Sequence, residues 1–180
     1  MILLMGSAGA GKGTQGKLLV EKNDYSYIST GELLRRQASK EQQQRMVAGE
    51  LLDDQEITGL LKTAMEVVPD PQHCILDGFP RTLSQADWLL EYAKKDRFKV
   101  TAVINLAISE EATLERLLKR GRPDDTSEVI AKRFDEHQSL TVPILSHFKE
   151  AGIPVFDIDA SQSPEVVHQV VEDCLNSLEK

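Results

Sequence analysis

Cysteine is scarce in this chain. Cys74 and Cys174 are the only two among 180 residues, which excludes a disulfide scaffold and any four-cysteine zinc ribbon. Long apolar runs are missing as well. The opening stretch Met1 to Met5 ends at a glycine, too short for a signal-peptide core, and no other run approaches the roughly 20 residues that span a bilayer. Positive charge is in deficit, with 21 Lys and Arg against 29 Asp and Glu and a net charge of −8. A nucleic-acid groove calls for a basic stripe, so neither nucleic acid nor membrane is an expected partner. There is no internal repeat, low-complexity tract or Gly/Ser-rich linker. The expectation is a soluble, cytoplasmic protein of one domain over 1–180, because a chain near this length buries roughly 70 % of its unfolded surface.

What is present is an alternation of short apolar runs with longer helical ones. Ile2 to Met5 is apolar throughout, as a strand covered on both faces should be. Tyr25 to Ser29, Cys74 to Leu76, Val100 to Ile108 and Ile153 to Ile158 are the other predicted strands. Between them, Leu83, Ala86, Leu89, Leu90 and Ala93 follow helical spacing, as do Leu114, Leu117 and Leu118 behind the capping residue Ser109. Ser163-Pro164 opens a last helix. Such alternation predicts a parallel sheet with helices on both faces. Gly31 to Val68 carries helical runs but no strand, which reads as a helical insertion able to move relative to the rest. The long helical stretch Thr126–Glu150 presents Phe134 and Phe148 to the core and is expected to break or kink at Pro143. Ser29 to Glu32 and Thr82 to Gln85 both read as capping boxes.

Directly after the first strand comes Gly6-Ser7-Ala8-Gly9-Ala10-Gly11-Lys12-Gly13-Thr14. Gly6, Gly11 and Lys12 fit the phosphate-loop spacing. Backbone N–H groups can wrap a phosphate only where side chains do not intrude. The helix that follows offers free N–H groups and its positive dipole end, and Lys12 adds a mobile charge. Gly13 stands where a Ser or Thr usually ligates Mg²⁺, with Thr14 one step later, so the metal is expected to be held through water.

Gly9-Ala10-Gly11-Lys12-Gly13-Thr14-Gln15 resembles the nucleotide-binding signature of adenylate kinases. Ser29-Thr30-Gly31-Glu32-Leu33-Leu34-Arg35, Asp77-Gly78-Phe79-Pro80-Arg81-Thr82 with Gln85, the run Arg116 to Asp125, and Arg133 are similar to further segments of that family, in the same order. Ala8 replaces a usual proline, and the loop Asp159 to Gln162 lacks a common glycine. The resemblance implies an α/β P-loop fold: a five-stranded parallel sheet flanked by helices, a helical NMP-binding insertion at 30–59, and a short lid at 119–127. It implies reversible transfer of the γ-phosphoryl group of MgATP to AMP, giving two ADP, by a monomer that needs Mg²⁺.

Site roles follow from the same resemblance. ATP falls to Gly9, Ala10, Gly11, Lys12, Gly13, Thr14, Arg116, Arg120 and Gln162. AMP falls to Thr30, Arg35, Glu50, Leu51, Leu52, Gly78, Phe79, Pro80, Arg81 and Gln85, with Arg122 and Arg133 reaching between the nucleotides. Lys12, Arg81, Arg120, Arg122 and Arg133 would carry catalysis, since guanidinium forks suit phosphate oxygens. Asp77, at the C-terminal end of a predicted strand where open parallel sheets bind ligands, would hold Mg²⁺ through water, helped by Asp124 or Asp125; no zinc site is implied. Arg45 and Arg97 read as surface ion-pair residues, and the four histidines as surface or packing residues. Relatives acting on UMP and CMP typically carry alanine at the position of Thr30 and asparagine at that of Thr82, so AMP is favoured over a UMP/CMP-type kinase. A non-catalytic nucleotide-binding module is the alternative from another class.

Overall fold

The strand that begins the chain becomes the centre of the sheet. A computed structural model describes residues 1–47, 52–96, 98–122 and 125–179. Its strands are β1 (Ile2–Gly6), β2 (Ser26–Ser29), β3 (Cys74–Asp77), β4 (Ala102–Ala107) and β5 (Val155–Asp159). They form one five-stranded sheet in the order β2-β3-β1-β4-β5, every pair parallel. Successive strand residues point to opposite faces. Leu3 and Met5 therefore enter one core with Leu76, Leu89 and Phe148, while Ile2 and Leu4 enter a second with Leu19, Ile75, Ile158 and Val171. Burial on both sides explains why β1 has no polar residue before its terminal glycine.

Helices α1 (Lys12–Asn23) and α8 (Pro164–Asn176) cover the second core; α5 (Leu83–Lys95) and α7 (Ser127–Glu150) cover the first, and α6 (Glu110–Arg120) follows β4. Ser109, Thr82 and Ser163 cap α6, α5 and α8 by accepting main-chain N–H bonds. The expected cap at Ser29 is absent: its side chain accepts no bond from the following helix. The box over Thr82 is half formed, because the Gln85 side chain turns instead to the N–H of Arg81. A complete capping box occurs at Asp53 and Glu56.

The segment after β2 folds as α2 (Thr30–Gln37), α3 (Lys40–Val47) and α4 (Asp54–Met65), without a strand among its described residues. It is not a separately packed unit. Leu34, Leu52, Ile57, Leu61 and Met65 belong to the same buried cluster as Leu3 and Phe148. The expected boundary at 59 falls inside α4, which runs on to Met65. The helix α7 likewise continues through Pro143 instead of breaking there. A proline forfeits one main-chain bond, but Thr141, Ile144, Leu145 and Phe148 around it are buried and hold the helix in place. Phe148 is fully buried and Phe134 half-buried.

Residue 6 is where β1 hands the chain to the phosphate loop, and the backbone there admits only glycine. Its φ is +136°, and a Cβ would lie 2.4 Å from the carbonyl oxygen of Leu106 on the adjoining strand. Left-handed strain and a backbone clash add, so Gly6→Ala should cost about 3 kcal/mol of stability or more. The urea midpoint of the variant checks this, and a midpoint equal to the wild type would contradict the packing described.

Candidate active site

Residues 7–11 form a loop that turns β1 into α1, with Gly9 and Gly11 at φ +83° and +93°. Gly11 precedes the first turn of α1 and offers no side-chain cap, so the first N–H groups of the helix are left for a ligand. Lys12 lies back over the loop and donates from Nζ to the carbonyls of Gly6 (2.8 Å) and Ser7 (2.9 Å). Burial lowers its pKa to about 8; Asp77 opposes the shift, and the charges of Arg81 and Arg120 add to it. The ammonium still holds its proton at neutral pH, in a place where its charge is poorly screened.

Asp77 ends β3, beside β1, and is 7 % exposed. Its Oδ2 accepts from the hydroxyl of Tyr27 at 2.7 Å. Its Oδ1 is buried with no partner among the described residues. Burial, then the Asp77 charge and hydrogen bond, push the Tyr27 pKa far up, so the phenol stays a donor. Thr30, also buried, donates to the carbonyls of Asp77 (3.1 Å) and Gly78 (2.9 Å). The Phe79–Pro80 peptide is cis, and Arg81 Nε folds back onto the Gly78 carbonyl at 2.9 Å.

A cleft of about 240 Å³ opens on the other side of the loop, lined by Gly9, Ala10, Gly11, Thr14, Arg116, Gln162 and neighbours from the start of α8. Arg116 spans it, donating to the carbonyls of Gly9 (3.5 Å) and Ser161 (3.2 Å). Arg120, at the end of α6, holds Asp125 by two bonds of 2.9 and 2.6 Å, while the N–H of Arg122 adds a third. Burial pushes the Asp125 pKa up, but the Arg120 and Arg122 bonds outweigh it and keep the carboxylate ionised. Asp125 thus orients an arginine in this structure.

Gly13 and Thr14 sit in the first turn of α1. Arg35 lies in the last turn of α2 beside Gly31, whose Cβ would be 3.4 Å from the guanidinium. Arg122 is exposed, and Arg133 is half-buried on α7. Leu52 is buried in the core, whereas Glu50, Leu51, Asp124 and Arg97 lie outside the described residues. Arg45 pairs with Glu56 at 3.6 Å, as a surface arginine would.

Among the histidines, His137 has surroundings that bear on the site. It lies four residues beyond Arg133, on the same side of α7, and both ring nitrogens are buried without a partner among the described residues. Burial lowers its pKa to about 4, with the charges of Lys12 and Arg81 adding to the shift. A neutral imidazole therefore faces the cationic centre. Only its spacing from Arg133 could have signalled this in the sequence. Tyr27 was equally unmarked, although it stands two residues before Ser29 on the strand that leads to Thr30.

A glycine loop between a buried strand and a helix, a buried lysine, and a carboxylate on the adjoining strand edge define a P-loop nucleotide-binding α/β protein. The family model described as adenylate kinase matches residues 4–153. The chain is 36 % identical to an adenylate kinase of Corynebacterium urealyticum, with 99 % of each chain covered. It is 37 % identical to adenylate kinase 1 of a Nostoc species, with 98 % of each covered, and 39 % identical to an adenylate kinase of Prochlorococcus marinus, with 84 % and 86 % covered. The chain belongs to the adenylate kinase family.

His137 yields a pH test. Unfolded histidine titrates near 6.5 and this one near 4, so as pH falls the unfolded chain takes up the proton first. The stability His137 gives is complete above about pH 6.5 and drains away down to about 4. In His137→Gln the urea midpoint should drop less between about pH 7 and about pH 5 than in the wild type. Equal drops would mean that the imidazole is not desolvated beside Lys12 and Arg81.

Proposed function

We propose that this chain reversibly transfers the γ-phosphoryl group of MgATP to AMP, giving two ADP. The observation that carries the reading is the buried Lys12, which shares its electrostatic environment with Arg81, Arg120 and Asp77 at the C-terminal edge of β1 and β3. Membership of the adenylate kinase family supports it independently.

The chemistry asks for little beyond charge and position. The acceptor is a phosphate whose second pKa is about 6, so it is already largely dianionic at neutral pH and needs no base. Two anionic groups must be brought together in line, against their repulsion, while charge spreads over the equatorial oxygens of the moving group. In this reading Lys12 and Arg120 meet the ATP phosphates, Arg35 and Arg81 the AMP phosphate, and Arg122 and Arg133 the space between. Gly9 to Thr14 cradle the triphosphate, and Arg116 with Gln162 flanks the ATP adenine. Thr30, the stretch Glu50 to Leu52, Gly78 to Pro80 and Gln85 surround AMP. Segment 30–59 serves as the monophosphate-binding part and 119–127 as the short lid.

Asp77 suits a hydrated Mg²⁺, because its buried Oδ1 has no partner among the described residues while Tyr27 fixes the other oxygen. When bound, the metal neutralises charge on the transferring phosphates. The reading includes a cytoplasmic monomer whose partners are ATP, AMP and ADP. The described helices include none long and apolar enough to cross a membrane, and the net charge of −8 gives nucleic acid little hold.

Coupled measurement of ADP formation from MgATP with AMP, UMP and CMP tests the proposal. AMP should be used fastest; faster use of UMP or CMP would overturn the base assignment, and ATP binding without transfer would favour the non-catalytic module. Lys12→Met and Arg81→Ala should each lower turnover by about 10²–10³, with circular dichroism unchanged. Near-normal rates in both would remove these residues from the site.

A further inference from the structure

Asp54 has no role above, yet its carboxylate joins the start of α4 to the start of α5. Gln85 Nε2 donates to Asp54 Oδ1 at 2.6 Å, and the main-chain N–H of Arg81 donates to Gln85 Oε1 at 2.7 Å. Thr82 Oγ1 donates to the same carboxylate at 3.1 Å, and Ser84 Oγ donates to it as well. Gln85 is 2 % exposed. Burial pushes the Asp54 pKa up, but the bonds from Ser84, Gln85 and Thr82 more than offset it, leaving an ionised group that can only accept.

A glutamine amide has two N–H donors and two lone pairs, and a half-turn exchanges its two ends. Here both neighbours have fixed polarity. A carboxylate accepts and a main-chain N–H donates, so a flipped amide would set oxygen against oxygen and N–H against N–H. Gln85 is confined to one orientation, with one N–H and one lone pair unspent. Adenine offers the complement, an accepting N1 beside a donating amine. Hypoxanthine and guanine reverse that pattern with a donating N1–H and an accepting oxygen, as does uracil. Cytosine shares the polarity of adenine and would have to be told apart by size.

We propose that Asp54 is a specificity-determining residue: by pinning the Gln85 amide, it makes the monophosphate site reject 6-oxopurine nucleotides such as IMP. This rests on the reading that Gln85 meets the AMP base. Asp54 acts through Gln85 and is a positioning residue. A site built around a fixed hydrogen bond discriminates strongly, because the wrong base leaves buried groups unpaired or opposed.

Asp54→Asn removes the carboxylate's share of that fixed polarity with little change of shape, since a carboxamide can accept from Gln85 or donate to it, and leaves only the N–H of Arg81 to oppose a flip. The kcat/KM values for AMP, IMP and CMP with MgATP are compared in wild type, Asp54→Asn, Asp54→Glu and Gln85→Leu. The AMP-to-IMP ratio should fall at least about tenfold in Asp54→Asn, through a rise for IMP, while the AMP-to-CMP ratio holds. Asp54→Glu, still acceptor-only, should keep the wild-type AMP-to-IMP ratio. A parallel loss for all three nucleotides in Asp54→Asn, with ratios unchanged, would reduce Asp54 to a structural tie and overturn the proposal. If Asp54→Asn does not fold, Asp54→Ser, whose hydroxyl also donates or accepts, decides on the same ratio. Gln85→Leu separates the two layers: an unchanged KM for AMP there defeats the base reading itself, whereas a raised KM with an unchanged ratio in Asp54→Asn defeats only this inference.

Discussion

A buried ammonium laid across two backbone carbonyls sets the conditions for everything around it. Lys12 donates to the carbonyls of Gly6 and Ser7 and sits where burial, with the charges of Arg81 and Arg120 adding and Asp77 opposing, lowers its pKa to about 8. That position exists because β1 is buried on both faces and ends at a residue without a Cβ, packed on the backbone of Leu106. A partly buried charge of this kind interacts more strongly with an anion that reaches it than a surface charge would. The central strand of the sheet leads into the loop that holds that charge, and Arg81 and Arg120 lie close enough to act on it.

The carboxylates near this centre act as orienting groups. Asp125 grips Arg120 and the backbone of Arg122, so the end of α6 and the loop after it are tied together. Asp77 is steadied by Tyr27 on one oxygen and has no partner for the other among the described residues. Asp54 gathers Thr82, Ser84 and Gln85. Each gathers hydrogen-bond donors from a neighbouring element, which selects one side-chain orientation where several would be sterically possible. The helical segment α2–α4 is bound to the rest by such contacts and by shared core residues such as Leu34 and Leu61. Any movement of it on binding nucleotide must therefore exchange those contacts for new ones.

Much of this could be read from the chain before folding. All five strands were visible, because each is a short β-type run between helical stretches, and their ends fell within two residues of expectation. The phosphate loop was legible because its glycine spacing is local. Long-range relations were less accessible. Apart from its spacing from Arg133, nothing near His137 in sequence tells that α7 brings it under the charges of Lys12 and Arg81. The pairing of Gln85 with Asp54 joins residues 31 positions apart, so a local capping box was expected where a tertiary bond prevails. Ser29 has the sequence of a cap without the geometry, and Pro143 is carried through a helix by the burial of its neighbours.

The central claim is that cations clustered around the phosphate loop cancel the repulsion between two nucleotides held end to end. It is tested most directly by calorimetric titration with a bridged adenosine–adenosine polyphosphate, which joins both ligands in one molecule. The account predicts tight binding that weakens as salt rises, and an affinity at least about a hundredfold lower when Arg81 and Arg120 are both replaced by alanine. Binding that is indifferent to salt and equally tight in the double variant would contradict it.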